Sequence, residues 1–367
     1  MSSRYSTGKR LVDLGERRIL NELIVPKFPP TEGHIVDIGD DCAVLPPPPP
    51  GESLVVTTDP CPTPVVCLLD GNDFYHYGRL TMLINVSDLA AMGAKPMGIV
   101  VSTVMPEDMG VDEYTRFLDG LAEAGSEWAC PLIGGNIKDG KEFTATGTAL
   151  GAVATNHLMR RVGANVGDRI CVIGEMGLFW SAVTARLMGI EASTAEEKRR
   201  LDDALYTPVA RIREGRALAE SGLVTSCMDS SDGVSGVLSE LAQINAVDII
   251  IESGLLTPSK TVRHTAAATD VDHRKLMLSW GDWELVCTIA PKKVSSAQRI
   301  ISALGCPFRD IGEVVPGDGT VWLQDGAQRG RLTNFASERF SATSFFTHGL
   351  DAYYTFLKSS PMMDVEE

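Results

Sequence analysis

The chain has 367 residues, room for two ordinary domains, with 44% hydrophobic and 22% charged residues, the balance of a water-soluble globular protein. Its formal net charge of −15 excludes the basic footprint that non-specific nucleic-acid binding needs. No apolar run reaches the ~20 residues of a membrane span, and Met1-Ser2-Ser3-Arg4-Tyr5 lacks the apolar core of a signal peptide, so a cytoplasmic protein with no membrane partner is expected.

Residues 1 to about 34 read as a helix, Leu11 to Leu23, and a Pro-containing connector. Strand Ile35-Val36 then runs into Asp37-Ile38-Gly39-Asp40-Asp41, and a second apolar run, Cys42 to Leu45, follows at once. The prolines Pro46 to Pro50 cannot pair in a sheet centre and mark an exposed loop. Strand Leu54 to Thr58 ends at Asp59, before the stiff loop Pro60-Cys61-Pro62-Thr63-Pro64. The apolar spacing of Leu80, Leu83, Ile84, Leu89 and Met92 predicts a helix over 74–93 with Gly93 as its C-cap. Strand Pro96 to Met105, helix Val111 to Trp128, strand Pro131 to Ile133 and strand Phe143 to Val153 follow. The polar run Arg160-Arg161-Val162-Gly163 marks a boundary, which divides the chain into domains 1–156 and 157–367.

A second α/β pattern begins at Arg169. Strand Ile170 to Ile173 meets Gly174, and helices Leu178 to Met188 and Val209 to Ser221 follow. Strand Val224 to Met228 leads into Asp229-Ser230-Ser231-Asp232-Gly233, which opens a helix to about Asn245. Strands Val247 to Ile251, Glu284 to Ile289 and Val321 to Leu323 surround helix Lys293 to Leu304. Strands alternating with helices in both halves mean an α/β or α+β fold. The eight cysteines are scattered, with no Cys-x-x-Cys pair, and read as small buried hydrophobes in a reducing compartment.

The chemistry lies in acids at strand ends or beside glycine: Asp40, Asp41, Asp59, Asp88, Asp229 and Asp232. Each alone has a plain explanation. Gly39-Asp40-Asp41 suits a solvated turn, and Asp232 suits a helix N-terminus. Together they suit a site in which Mg²⁺ bridges carboxylates and phosphate oxygens. There is no Gly-x-x-x-x-Gly-Lys-[Ser/Thr] loop, no kinase catalytic-loop signature and no paired His/Ser/Asp nucleophile set. The glycines Gly134-Gly135 and Gly174 to Gly177 would let main-chain N–H groups approach an anion. Trp280-Gly281-Asp282-Trp283-Glu284 is either a strand start with one buried indole or an aromatic wall against a flat ring.

These motifs, in this order, resemble the thiamine-monophosphate kinases of the aminoimidazole ribonucleotide (AIR) synthetase superfamily. Gly39-Asp40-Asp41-Cys42-Ala43-Val44-Leu45 resembles that family's Gly-Asp-Asp-Ala-Ala-Val-Leu, and Thr57-Thr58-Asp59 its Thr-Thr-Asp. Asn85-Val86-Ser87-Asp88-Leu89-Ala90-Ala91-Met92-Gly93-Ala94 is the most specific match. Asp229 to Gly233 resembles Asp-x-Ser-Asp-Gly, Asp282-Trp283-Glu284-Leu285 resembles Asp-Tyr-Glu-Leu, and Arg161 to Asp168 matches the domain-joining Arg-x-Gly-Ala-x-x-Gly-Asp.

The resemblance implies a two-domain AIR synthetase-like fold that dimerises through its N-terminal domains. ATP and Mg²⁺ would sit in a cleft between the domains, with the γ-phosphoryl passed directly to a small phosphorylated acceptor. Asp88, Asp229 and Asp232 would be catalytic. Asp40, Asp59, Asp88, Asp229 and Asp232 would hold metal. Asp40, Asp41, Thr58, Gly134, Gly135, Asn136, Arg161 and Ser231 would contact nucleotide, and Asp282, Trp283 and Trp280 the acceptor. The chain departs from the pattern in places. The family's Gly-Gly-Asp-Thr is here Gly134-Gly135-Asn136-Ile137, so an amide stands where a carboxylate ligand is expected. Its acidic segment ending His-Phe is here Pro60 to Val66, its Gly-Gly-Glu is Ser279-Trp280-Gly281, and its aromatic-Asp-His-Phe ending is Leu350-Asp351-Ala352-Tyr353. The competing readings are an AIR synthetase-like ligase that uses ATP to activate an amide or carboxylate oxygen, and a non-catalytic nucleotide-binding paralogue.

Overall fold

The computed structural model of the protein describes residues 8–36, 38, 42–336 and 348–365. Asp40 and Asp41 lie outside the described residues. The chain divides into two compact units. Met1–Leu89 with Ala94–Asn156 forms the first, and Ala90–Gly93 with His157–Glu367 the second.

The first unit is built on four strands: β1 (Glu52–Pro60), β2 (Lys95–Pro106), β3 (Leu132–Gly140) and β4 (Thr144–Ala154), in the order β1-β4-β2-β3. β4 runs antiparallel to both neighbours, whereas β2 and β3 are parallel and are joined by the crossover helix Val111–Glu127. Helix Phe74–Ala91 and the crossover helix supply Val86, Leu89, Phe117 and Leu121 to a core closed by Ile99 and Ala149 of the sheet. Along β1 the burial alternates strictly. Ser53, Val55, Thr57 and Asp59 are half-buried, while Leu54 and Val56 are 50% and 56% exposed on the other face.

Two local expectations change. The predicted Leu11–Leu23 helix is broken at Gly15 (φ 74°) into a 3₁₀ turn, Leu11–Asp13, a single turn at Glu16–Arg18 and a π-helix, Ile19–Ile24. Strand β3 does not stop at Ile133 but continues through Gly134, Gly135 and Asn136 to Gly140. Gly135 permits this, because a Cβ there would lie 2.0 Å from the Val101 carbonyl oxygen on β2.

The second unit holds eight strands: β5 (Arg169–Ile173), β6 (Val224–Asp229), β7 (Asp248–Glu252), β8 (Leu285–Ile289), β9 (Phe308–Val315), β10 (Val321–Asp325), β11 (Gln328–Leu332) and β12 (Met363–Asp364). Their order is β12-β11-β10-β7-β9-β5-β8-β6. Among the described residues only the β7–β10 pair is parallel. Strands β5 and β8 are covered on both faces, which explains their continuous apolar sequences. Helix Leu178–Met188 packs Phe179 and Trp180 against Trp280 and Tyr353, an aromatic cluster within the core. Cys171, Cys287 and Cys227 line up across β5, β8 and β6 as buried hydrophobes. Both units are mixed α/β, the class the strand–helix alternation predicts. Among the described residues no helix is long and apolar enough to cross a membrane.

Candidate active site

In the first unit the Thr57-Thr58-Asp59 end of β1 meets the last turns of helix Phe74–Ala91. The Thr57 hydroxyl donates to Asp88 Oδ2 at 2.5 Å. Two residues on, the Asp59 main-chain N–H donates to Asn85 Oδ1 at 3.1 Å. Asn85 is fully buried, and its amide in turn donates to the Thr81 carbonyl at 2.9 Å. Gly147 of β4, the register partner of Asp59, makes room for it: a Cβ there would lie 2.4 Å from Asn85 Nδ2. Asp59 and Asp88 are both half-buried. The helix spacing of Asn85 and Asp88 and the strand spacing of Thr57 and Asp59 therefore place two carboxylates at one sheet end. Thr58, expected at the nucleotide, lies on the opposite face, where its hydroxyl donates to the Gly147 carbonyl (2.8 Å) and meets Thr148. Its neighbour Thr57 is the threonine that touches an acid.

Asn136 sits elsewhere on the sheet. Pro60 pairs with Thr146, Thr146 with Ser102, and Ser102 with Asn136. Three inter-strand steps thus separate Asn136 from the end of β1, on the order of 14 Å. Asn136 and Asp139 open onto a cavity of about 420 Å³ beneath the N-terminal turns, with Leu11, Glu16 and Met105. Gly134 and Gly135 belong to the β2–β3 ladder, where close strand approach accounts for Gly135.

In the second unit Asp229 ends β6 and is 2% exposed. The chain then turns through Ser230, Ser231 and exposed Asp232 into helix Val234–Asn245. The Ser231 hydroxyl reaches Asp229 Oδ1 at 3.4 Å. Ser230 ties the turn to the strand beside it. Its N–H donates to the Glu284 carbonyl at 2.7 Å, and its hydroxyl accepts the Glu284 N–H at 2.8 Å. Arg161 is exposed, pairs with Glu240, and accepts the Asn245 amide on its carbonyl at 2.9 Å.

The Trp280 to Glu284 segment divides its roles. Trp280 is 7% exposed within the aromatic cluster, so its indole is core rather than a wall for a ligand. Trp283 is half-buried and held in the left-handed region at φ 56°, a strained conformation for a bulky side chain. Both flanking acids turn onto the Gly174–Phe179 turn. Asp282 accepts the N–H groups of Gly177 (2.5 Å) and Phe179 (2.7 Å), and Glu284 accepts that of Glu175 (2.8 Å). The anion that this glycine-rich turn was expected to cradle is therefore the protein's own. Burial and the nearby Glu284 charge push the Asp282 carboxyl up to about 8, against the two N–H groups that pull it down. Burial also raises the Glu284 carboxyl, opposed by Arg211. Arg211 forms a two-pronged pair with Glu284, Nε to Oε2 at 2.7 Å and Nη2 to Oε1 at 2.9 Å. Arg200 pairs with Glu175, and these groups line a cavity of about 280 Å³.

Ser193, His264 and Glu197 also meet, although no nucleophile set was expected. The Ser193 oxygen lies 3.3 and 3.2 Å from the two ring nitrogens, in line with neither, and Glu197 accepts the Ser193 N–H at 2.7 Å. This caps helix Ala195–Tyr206 rather than activating a serine.

Among the described residues no group of three His, Cys, Asp or Glu side chains is close enough to hold a metal ion. The donors at the predicted positions are nonetheless carboxylates and hydroxyls alone: Asp59, Asp88 and Thr57 in one unit, Asp229 and Asp232 in the other. Within each unit those oxygen donors are of the kind that a hard cation such as Mg²⁺ takes alongside waters and phosphate oxygens.

The family model for the N-terminal domain of AIR synthase related proteins matches residues 39–153, and that for the C-terminal domain matches residues 165–323. A thiamine-monophosphate kinase from Pyrococcus abyssi is 32% identical over 293 residues, 79% of this chain and 86% of that protein. The crystal structure of thiamine-monophosphate kinase from Stenotrophomonas maltophilia superposes with a TM-score of 0.70 at 28% identity, covering 80% of this chain and 92% of that one. A structure of AaThiL complexed with AMPPCP and TMP superposes with a TM-score of 0.64 at 26% identity, covering 87% of this chain and 96% of that one. The resemblance read from the motifs thus extends through both domains, and the chain belongs to the thiamine-monophosphate kinase family of AIR synthase related proteins.

Proposed function

We propose that the protein transfers the γ-phosphoryl group of ATP to the phosphate of thiamine monophosphate. An oxygen of the acceptor phosphate forms the new P–O bond, the bond between the γ-phosphorus and the bridging oxygen breaks, and ADP leaves with that oxygen. The observation that carries this reading is the pairing of family membership with the Thr57–Asp88 and Asp59–Asn85 contacts, which set two acids of the family's motifs at one sheet end. Catalysis of this kind rests on positioning and charge neutralisation, with no covalent intermediate on the protein.

Mg²⁺ is the metal that the oxygen donors fit. Asp59 and Asp88 in the first unit, with Asp40 of the preceding motif, and Asp229 and Asp232 in the second are the residues that would hold it. When bound, it neutralises polyphosphate charge and orients the transferring group. Thr57 fixes the orientation of the Asp88 carboxylate, and Asn85 fixes the main chain at Asp59. Arg161 and Ser231 are the proposed nucleotide contacts of the second unit, and Trp283, the half-buried member of the indole pair, is the acceptor-side ring.

The first unit is the proposed homodimer surface. Leu54 and Val56 of β1, with Leu150 opposite Val56 on β4, leave an apolar sheet face uncovered, which a second copy would bury.

Phosphorus NMR of a mixture of ATP, Mg²⁺, thiamine monophosphate and the protein tests the reaction. Thiamine diphosphate with ADP is the expected product pair. ADP with free phosphate and a new C–N bond on an added acceptor would replace the kinase reading by the ligase one.

A further inference from the structure

We infer that Glu284, locked by Arg211, is the positioning residue that sets the Asp229–Gly233 loop for metal binding. This rests on the proposed role of that loop, and every contact involved lies within the second unit.

Glu284 is 2% exposed, and a carboxylate so buried is costly unless paired. Its side chain accepts three hydrogen bonds, two from Arg211 and one from the Glu175 N–H. Its main chain accepts one bond from Ser230 and donates one to it. One residue thereby joins three segments that are far apart in sequence: the turn after β5, the approach to helix Ile212–Ser221, and the loop between Asp229 and Asp232. Ser230 is one residue from Asp229 and two from Asp232, so a shift of Glu284 is carried directly to both acids. Gly174 shows how closely the hub is fitted: a Cβ there would lie 1.4 Å from Glu284 Oε2. Arg211 cannot be replaced by a simple cation, because only a planar fork meets both carboxylate oxygens at once.

Groups that orient ligands without touching the metal change metal affinity by about 10- to 100-fold when removed. The test is calorimetric and needs no turnover: Mg²⁺ is titrated into the full chain with the non-hydrolysable ATP analogue AMPPCP present, and melting temperature is read alongside. Arg211→Lys keeps the charge and loses the fork, and is expected to raise the Mg²⁺ midpoint for AMPPCP binding about tenfold or more. Ser230→Ala leaves the Arg211–Glu284 pair intact but strips the Glu284 N–H of its acceptor, and is expected to raise the midpoint about tenfold together with a fall of a few degrees in melting temperature. Should Arg211→Lys fail to fold, Ser230→Ala decides alone. A lower melting temperature in Arg211→Lys with both midpoints at the wild-type value would overturn the inference and leave the pair a purely structural clamp. Wild-type protein that binds Mg²⁺ and AMPPCP but leaves thiamine monophosphate untouched would sink the acceptor assignment while the positioning role stands. Wild-type protein with no Mg²⁺-dependent AMPPCP binding would overturn both.

Discussion

The two units hold their acids in different ways. At the end of β1, Asp88 is oriented by the Thr57 hydroxyl, and Asp59 by its strand register and the Asn85 amide. In the second unit, the Asp229 loop hangs on a buried network of Arg211, Glu284, Ser230 and the Gly174–Phe179 turn. The first arrangement follows from regular geometry, since residues three apart on a helix share a face and residues two apart on a strand do too. The second depends on pairs of residues 54 to 109 positions apart in the chain. Chemistry in the first unit should therefore be separable from stability, whereas in the second the two should move together.

The largest effect tests the first half of that contrast. Asp88→Asn should lower kcat by on the order of 10²- to 10³-fold, while melting stays within a few degrees of wild type. Normal turnover in a folded Asp88→Asn protein would remove Asp88 from the site.

Assembly gives the next largest signal. Val56→Asp places a charge on the open face of the β1–β4 sheet without disturbing the core beneath it. Light scattering at micromolar concentration should show a dimer for wild type and a monomer for this variant. A wild-type monomer would leave that face without its proposed partner.

The second half of the contrast is read from pH. The folded-state carboxyl of Asp282 lies at about 8, above the ordinary carboxylate range near 3.9. Between those values the folded chain holds a proton that the unfolded chain has released, so this group lowers stability as pH rises from about 4 to 8. Asp282→Asn removes that slope and keeps one acceptor oxygen for the turn. Thermal melts of the two proteins should converge toward acid pH and separate toward pH 8, with the variant falling less. Parallel curves would show that Asp282 ionises normally and that the turn is held by other groups.

The smallest effect belongs to Asn136. An added carboxylate on the order of 14 Å from the Asp59–Asp88 end of the sheet strengthens cation binding there by a few-fold at most across a partly solvated gap. Asn136→Asp should lower the Mg²⁺ concentration for half-maximal turnover by about that few-fold. No change in either the rate or the metal dependence would set Asn136 outside the site, consistent with its place three strands from β1.

What could be read from the sequence follows the same division. Helix 74–93 and strands β2, β4, β5 and β6 are visible as apolar periodicities, and they are found close to the expected limits. Helix Ala195–Tyr206 was missed because its face is sparse, with only Leu201 and Leu205 as buried apolar side chains. Strand β9, Phe308–Val315, was missed because Arg309, Asp310 and Glu313 interrupt its apolar pattern, and two of them pair with Arg169. The acids of the site were legible one by one. Thr57 was hidden beside Thr58 because either reads alike until the pleat fixes which faces the helix. Arg211 carried no local signal at all, since its importance comes from a carboxylate 73 residues away.

Gly174 has a wider consequence. Its missing side chain is filled by the carboxylate of residue 284, so any side chain at 174 would collide with that carboxylate. A relative with a side chain at 174 would need both a different residue at 284 and a different backbone turn, because position 174 also takes a φ of 119°, and a chimera that joins one chain's first half to another's second half would have to carry a matched pair. Comparing such pairs across related chains would reveal which members still build this junction, with no assay of their activity.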